Sequence, residues 1–196
     1  TNTPAPATLQ LDPTWTLQTA DPAELNLNTS DVDAILNHIF TDQAVQSALL
    51  VRNGWIIGQR FSPGVDINTL GTSWSVAKSF YAALIGIALE EGWLTGLDQP
   101  ASDFLSEWAS GDKEAITIRD ILEMRAGYGA DSGIYYETDQ SAFAIDFPKT
   151  REQGTTFEYS DPTSQLLEPI ILRSTGMNAH AYLTEKILLP IGIDPN

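Results

Sequence analysis

The chain has 196 residues, 26 of them acidic and 10 basic, for a net charge of −16. That balance repels phosphate backbones and argues against nucleic acid as a partner. The absence of cysteine excludes disulfides, thiolate metal sites and a cysteine nucleophile, and two histidines leave no basis for a His-rich metal centre. An apolar share of 42% with five tryptophans suits a folded core of about one domain.

Residues 1–30 read as an extended N-terminal segment, opening on the Thr/Pro/Ala-rich "TNTPAPATLQLDPT". Such an opening resembles the start of an exported protein after processing. The expected location is therefore periplasmic or secreted, with the cytoplasm as the alternative. "TSDVDAILNHIF" predicts a helix capped by Ser30, with Val32, Ile35, Leu36 and Ile39 on one face. "SALLVRNGWIIGQRF" predicts a β-hairpin at residues 49–61, turning at Asn53-Gly54, because that pair supplies the positive φ values of a tight primed turn.

From Val76 to Leu89 apolar residues fall on nearly every face, which predicts a helix buried on all sides. Its apolar run, Phe80 to Leu89, is far short of the ~20 residues a membrane span needs. "TIRDILEMRAG" predicts a helix with Thr117 and Asp120 as a capping box and Gly127 as its end. "TDQSAFAIDF" predicts a short helix before Pro148, and Pro162 to Ser174 a helix kinked or broken by Pro169. "NAHAYLTEKILL" predicts a last helix. One hairpin is marginal without further strands, so additional strands are expected from residues beyond Asn196 or from another chain.

Ser75 and Lys78 stand one helical turn apart at the start of the apolar helix. A chain of this length contains roughly one Ser-x-x-Lys match by chance, and Ser110–Lys113 is a second one, in a polar stretch. Residues at i and i+3 share a helix face, so the Lys78 nitrogen reaches the Ser75 oxygen. The positive end of the helix favours a developing alkoxide there. Burial without a paired acid would lower the lysine toward neutrality and let it accept a serine proton. The alternative is a serine N-cap beside a lysine that reaches solvent. Gly129-Ala-Asp-Ser132-Gly133 misses the serine-protease loop pattern by one residue. His38 and His180 lie on amphipathic helices with no triad partner signalled.

Ser75-Val-Ala-Lys78 is followed in order by "GWLTGLDQPASDFL", "ITIRDILEMRAGYG", "GTTFEYSDPTSQLLEPII" and "STGMNAHAYLTEKILLPIGI". This order resembles the serine β-lactamase and penicillin-binding protein superfamily across residues 45–193. The nearest branch is the class C-type group, with its D-aminopeptidases, carboxypeptidases, family VIII esterases and 6-aminohexanoate-dimer hydrolases. The resemblance implies an α/β (α+β) fold with an antiparallel sheet and an all-helical subdomain, here at about residues 75–190, with residues 31–196 as the N-terminal part of a single domain that lacks its C-terminal strands. It implies Ser75 as the acylated nucleophile, Lys78 as its proton acceptor, and Tyr159 as the second-motif tyrosine that shares protons with the lysine. The Ser75 N–H would be one oxyanion donor.

Two departures from the family's pattern stand out. Asp161 replaces the usual asparagine at the end of the second motif, placing a carboxylate beside Lys78 that would hold its proton more firmly and removing an amide donor from the substrate-binding position. The third motif, a Lys/His-Thr/Ser-Gly strand, does not occur in the 196 residues. The expected partner is thus a complementary C-terminal fragment or chain, without which turnover is not expected. The implied substrate is a small amide or ester: a 6-aminohexanoate-type amide, a D-amino-acid peptide, an acyl ester or a β-lactam. No cofactor or metal is implied. The alternative is a penicillin-recognising sensor or scaffold of the same fold without turnover.

Overall fold

The computed structural model describes residues 17–193, which form two compact units divided between Thr72 and Ser73. The Thr/Pro/Ala-rich opening lies outside the described residues, as do Asp194 to Asn196. In the described part of the N-terminal segment there are a two-residue strand, β1 (Gln18–Thr19), and a single 3₁₀ turn capped by Asp21.

The first unit is a small sheet covered by a helix. β2 (Ser47–Arg52) and β3 (Trp55–Phe61) form the expected antiparallel hairpin. Asn53 and Gly54 take φ values of 51° and 81°, so the turn is of the primed kind that Asn-Gly favours. β1 joins β3 in parallel, giving the order β1-β3-β2. α1 (Thr29–Ile39) buries Val32 and Leu36. A Cβ at Gly58 of β3 would stand 2.8 Å from Val32 Cγ1, so the glycine admits the helix close to the sheet. Two details differ from expectation. The cap position is Asn28 rather than Ser30, and Ile35 is exposed.

The second unit is helical and holds the main core. α2 (Val76–Glu90) packs against α6 (Leu167–Thr175) and α7 (Ala179–Leu183). Leu84, Ile85 and Ala88 of α2 meet Leu105, Trp108, Ile121, Ile170 and Tyr182 in one buried cluster. Each fully buried large apolar side chain contributes roughly 1.5–3 kcal/mol. Two polar groups within it are satisfied by backbone: Trp108 Nε1 donates to Ile145 O at 3.0 Å and the Tyr128 hydroxyl to Ala144 O at 3.1 Å.

Burial of α2 on all sides is not what the described residues show. Val76 is 60% exposed, and Ser79, Ala82, Ala83 and Gly86 line an open strip. Apart from Val76 these side chains are small and carry little apolar area, so leaving them open costs little. α3 (Ile118–Leu122) has the predicted capping box, in which Asp120 N donates to Thr117 Oγ1 at 3.1 Å and Thr117 N to Asp120 Oδ2 at 3.0 Å. It ends before Gly127, where Met124 turns left-handed at φ 52°.

α4 (Gln140–Asp146) stands where expected. The helix containing Pro169 is broken, but at Leu166, between α5 (Asp161–Gln165) and α6. The break lies upstream because proline cannot donate to the carbonyl four residues back and its ring clashes there. Restarting the helix at Leu167 puts Pro169 in a first turn, where no such donor is needed. α7 runs on into a π-helical turn at Thr184–Leu188. Among the described residues no helix is long and apolar enough to cross a membrane.

Two expectations follow. Gly127 and Gly92 both have positive φ, but only at Gly127 would a Cβ meet a backbone oxygen, that of Arg151, at 2.2 Å. Gly92→Ala should therefore cost about 1 kcal/mol in urea unfolding and Gly127→Ala about 3 kcal/mol or more. Arg173 of α6 donates to both Glu107 oxygens at 2.7 and 2.8 Å, and this pairing holds the Glu107 carboxyl down from 4.5 to about 2. A lowered carboxyl stabilises the fold above its unfolded value and loses that contribution as pH falls toward its folded one. Urea midpoints of wild type should thus fall more steeply than those of Glu107→Gln between about pH 4.5 and 2.

Candidate active site

Ser75 is the last residue before α2, where a capping serine would turn its oxygen onto the first N–H groups of the helix. It does not. Ser75 sits at φ −66°, ψ −11° with no side-chain capping bond. Its Oγ accepts from the Tyr159 hydroxyl at 2.6 Å and from Lys78 Nζ at 3.2 Å. The residue before it, Trp74, is held left-handed at φ 44°, a costly conformation for a bulky side chain and one that recurs at functional turns.

Lys78 reaches Ser75 because three residues of helix bring the two onto one face. Its Nζ also donates to Asp161 Oδ1 at 2.6 Å and lies 5.1 Å from the centre of the Tyr159 ring. Lys78 and Asp161 are about one-fifth exposed, at 21% and 22% of their side chains.

Tyr159 and Asp161 are delivered by a short segment fixed on either side of the tyrosine. Glu158 N donates to Met124 O at 3.0 Å, and the Glu158 carboxylate accepts from Ala130 N and pairs with Arg151. Ser160 is fully buried, donates to Gly129 O at 2.9 Å and accepts from Thr163 N at 3.1 Å as the cap of α5. With its neighbours tied inward, Tyr159 projects outward and stays half exposed. Asp161 occupies the first position of α5, where a carboxylate suits the positive end of the helix.

The electrostatics decide between two expectations for Lys78, lowering by burial without a paired acid and a proton held by Asp161. Burial pulls the Lys78 amine down, but bonds to Asp161 and Tyr159 outweigh it and leave the amine above its ordinary value. The paired acid that the lowered-lysine argument required to be absent is present. The Tyr159 hydroxyl moves the other way, lowered by its bond to Ser75 and then by Lys78. In this array the lysine holds its proton and the tyrosine is the group eased toward losing one.

The other candidates stand apart. Lys113 donates to Ile145 O at 2.6 Å and lies over the Trp108 and Tyr128 rings at 5.5 and 5.4 Å, a structural bracing with no bond to Ser110. Ser132, His38 and His180 are exposed, and none bonds Ser75. Sequence reasoning missed Tyr135, whose ring meets Trp74, the neighbour of Ser75, edge-on at 6.4 Å. Only its distance in sequence from the motifs hid it.

A family model described as Beta-lactamase matches residues 40–194. The chain belongs to the beta-lactamase family. Its fold is that of a putative β-lactamase from Bacteroides dorei, at TM-score 0.71 and 20% identity over 84% of this chain and 52% of that one. It is similar too to a penicillin-binding protein homolog from Caulobacter crescentus, at TM-score 0.66 and 22% identity over 91% and 51%. A putative 6-aminohexanoate-dimer hydrolase from Bacillus anthracis follows at 0.63 and 19% over 78% and 46%. The chain spans about half the length of these structures. No curated protein matches.

The opposing pulls on Lys78 have a direct test. Asp161→Asn removes the carboxylate and leaves burial in place, so the Lys78 amine should titrate at lower pH than in wild type. Lysine ¹³Cε chemical shifts followed against pH read this, and an unmoved Lys78 would contradict the assignment of Asp161 as its holder.

Proposed function

We propose that the chain carries the nucleophile of a β-lactamase-family serine hydrolase that forms an acyl-enzyme on Ser75. The observation that carries this reading is the Ser75 oxygen, which leaves the cap position unfilled and sits between Tyr159 and Lys78. With Tyr159 as the phenolate, its own proton released to solvent, Ser75 Oγ attacks the carbonyl carbon of an amide or ester while the serine proton passes to the Tyr159 oxygen, along the contact that Tyr159 donates in the resting structure. Tyr159 then gives that proton to the departing amine or alcohol. A water, relieved of a proton by Tyr159, hydrolyses the acyl-serine.

Lys78, which the resemblance made the proton acceptor, serves here as the fixed cation that eases Tyr159 toward the phenolate. The directions of the two shifts support that division. Asp161 keeps the cation in place. The Ser75 N–H is one oxyanion donor, and a complementary segment or chain supplies the second donor and the far wall of the cleft.

The substrate is a small amide or ester, within the range of 6-aminohexanoate-type amides, D-amino-acid peptides, acyl esters and β-lactams. The names of similar structures support that range: a 6-aminohexanoate-dimer hydrolase, a family VIII carboxylesterase, a class C β-lactamase. The second reading, a sensor or scaffold without turnover, draws its support from the Lys78–Asp161 pair, which keeps the amine protonated.

A fluorophosphonate probe on the full-length protein tests the nucleophile. Ser75 should carry the adduct by mass spectrometry, Ser75→Ala should carry none, and Tyr159→Phe should label at least about a hundredfold more slowly. Labelling at Ser110 or Ser132 instead would overturn the assignment. Labelled Ser75 without turnover of linear amides, p-nitrophenyl esters or nitrocefin would leave the sensor reading standing.

A further inference from the structure

Trp74 precedes Ser75 in a conformation that disfavours its own side chain. At φ 44° a bulky side chain crowds the backbone, and Gly or Asn would sit there more easily. The ring recovers little of that cost by burial, since Trp74 is 72% exposed. What it touches is Tyr135, edge-on at 6.4 Å and 77° between planes. Tyr135 is itself held in place. Its 3₁₀ turn, Gly133–Tyr136, is anchored by the buried Ile134, by Gly133 N donating to Asp131 Oδ1 at 2.5 Å and by Tyr135 N donating to Ser132 O at 3.3 Å. About half of Tyr135 stays open to solvent. Two aromatic rings, braced against each other and largely uncovered, thus stand next to the reacting serine.

We propose that Trp74 and Tyr135 form a specificity ledge for the acyl part of the substrate, and that this part is an aromatic or broad apolar group of the phenylacetyl kind rather than a short one such as acetyl. The proposal rests on the reading of Ser75 as the acylated nucleophile and deepens it by naming the acyl class. Adjacent Cα atoms are about 3.8 Å apart, so a group bonded to Ser75 lies within side-chain reach of residue 74 through both half-reactions. The leaving group is gone after the first. Two rings set nearly perpendicular offer a face and an edge, and a third ring packs well against either. The strain falls at the one residue whose backbone aims a side chain relative to the Ser75 oxygen. A ring that served only to dock a second protein surface would have no need of that position.

Two esters with one leaving group, p-nitrophenyl phenylacetate and p-nitrophenyl acetate, read the acyl side alone on the full-length protein. Wild type should prefer the phenylacetate in kcat/KM, chiefly through KM. Trp74→Asn, which suits a left-handed backbone, should cut that preference about tenfold. Tyr135→Ala, which leaves residue 74 in place, should cut it about threefold. Tyr136→Ala, in the same turn, should leave the preference as it is. A preference unchanged in both Trp74→Asn and Tyr135→Ala overturns the proposal, as does a wild type that favours the acetate. A second measurement needs no turnover. In Ser75→Ala protein with ¹⁵N-labelled indoles, and Trp74 assigned by its loss in Trp74→Asn, the Trp74 Nε1–H resonance should move on titration with phenylacetamide and not with acetamide. A Trp74 resonance indifferent to phenylacetamide assigns the ledge to the complementary segment and overturns the proposal. If neither ester acylates Ser75, the proposed function fails, and the indole titration still decides the ledge.

Discussion

The ion pair between Lys78 and Asp161 is the contact on which the rest of the site depends. It joins residues 83 apart in sequence at 2.6 Å, tying the first turn of α2 to the first position of α5. A cation so placed lies beneath the Tyr159 ring and within reach of Ser75, and a single charge thus orients a nucleophile and biases its acid–base partner. The pair is only partly withdrawn from water, so neither charge bears the several kcal/mol that full burial would cost. Remove the carboxylate and the amine loses the larger of the two influences that oppose burial, keeping only Tyr159. With it in place the amine holds its proton more firmly than an ordinary lysine, while the tyrosine beside it is eased toward losing one.

The core delivers that pair through a series of backbone ties rather than through side-chain packing at the site itself. Gly127 lets the strand-like segment at Thr150 and Arg151 approach closely enough for both N–H groups to bond its carbonyl, at 2.9 and 3.2 Å. Arg151 then pairs with Glu158, Glu158 N bonds Met124 O, and Ser160 is sealed under Gly129. Tyr159, the residue between them, is the only one of the three turned outward. Rigid neighbours and a projecting side chain are what a group that must both reach Ser75 and meet solvent requires.

Local chemistry was legible in the sequence wherever a few adjacent residues decide the outcome. Asn53-Gly54 dictated its turn, and Thr117 with Asp120 its cap. The two-residue β1 carried no such signal, since its pairing depends on β3 and not on its own side chains. The helix break that Pro169 announces falls three residues upstream, at Leu166, because proline's effect lands on the carbonyl four residues back, at Gln165. For the site, Ser75, Lys78, Tyr159 and Asp161 were recoverable from their order along the chain, and the structure brings all four together. The direction of the Lys78 shift depended on whether Asp161 lies within bonding distance, a fact of three-dimensional approach. Tyr135 lay outside every motif and could be found only by where its turn sits.

The two Ser-x-x-Lys matches show why spacing and a displaced lysine are both insufficient as marks of chemistry. Lys113 fulfils the expectation for a buried catalytic amine: burial lowers it, and no carboxylate reverses the shift. Yet it is the structural one, its proton given to a backbone carbonyl and its charge spread over two aromatic rings, with Ser110 unconnected and not on a helix. Lys78 runs opposite, raised rather than lowered, and stands at the site. The discriminating observation is what the serine does. A serine at the head of a helix has a local use for its oxygen in the unpaired N–H groups beside it. Where a tyrosine and a lysine hold that oxygen instead, the fold has set aside a cap worth about 1 kcal/mol, and it does so beside a backbone that is itself strained. Two such concessions at adjacent residues set Ser75 apart from Ser110 more sharply than any pattern of letters, and they are what the proposed role of its oxygen rests on.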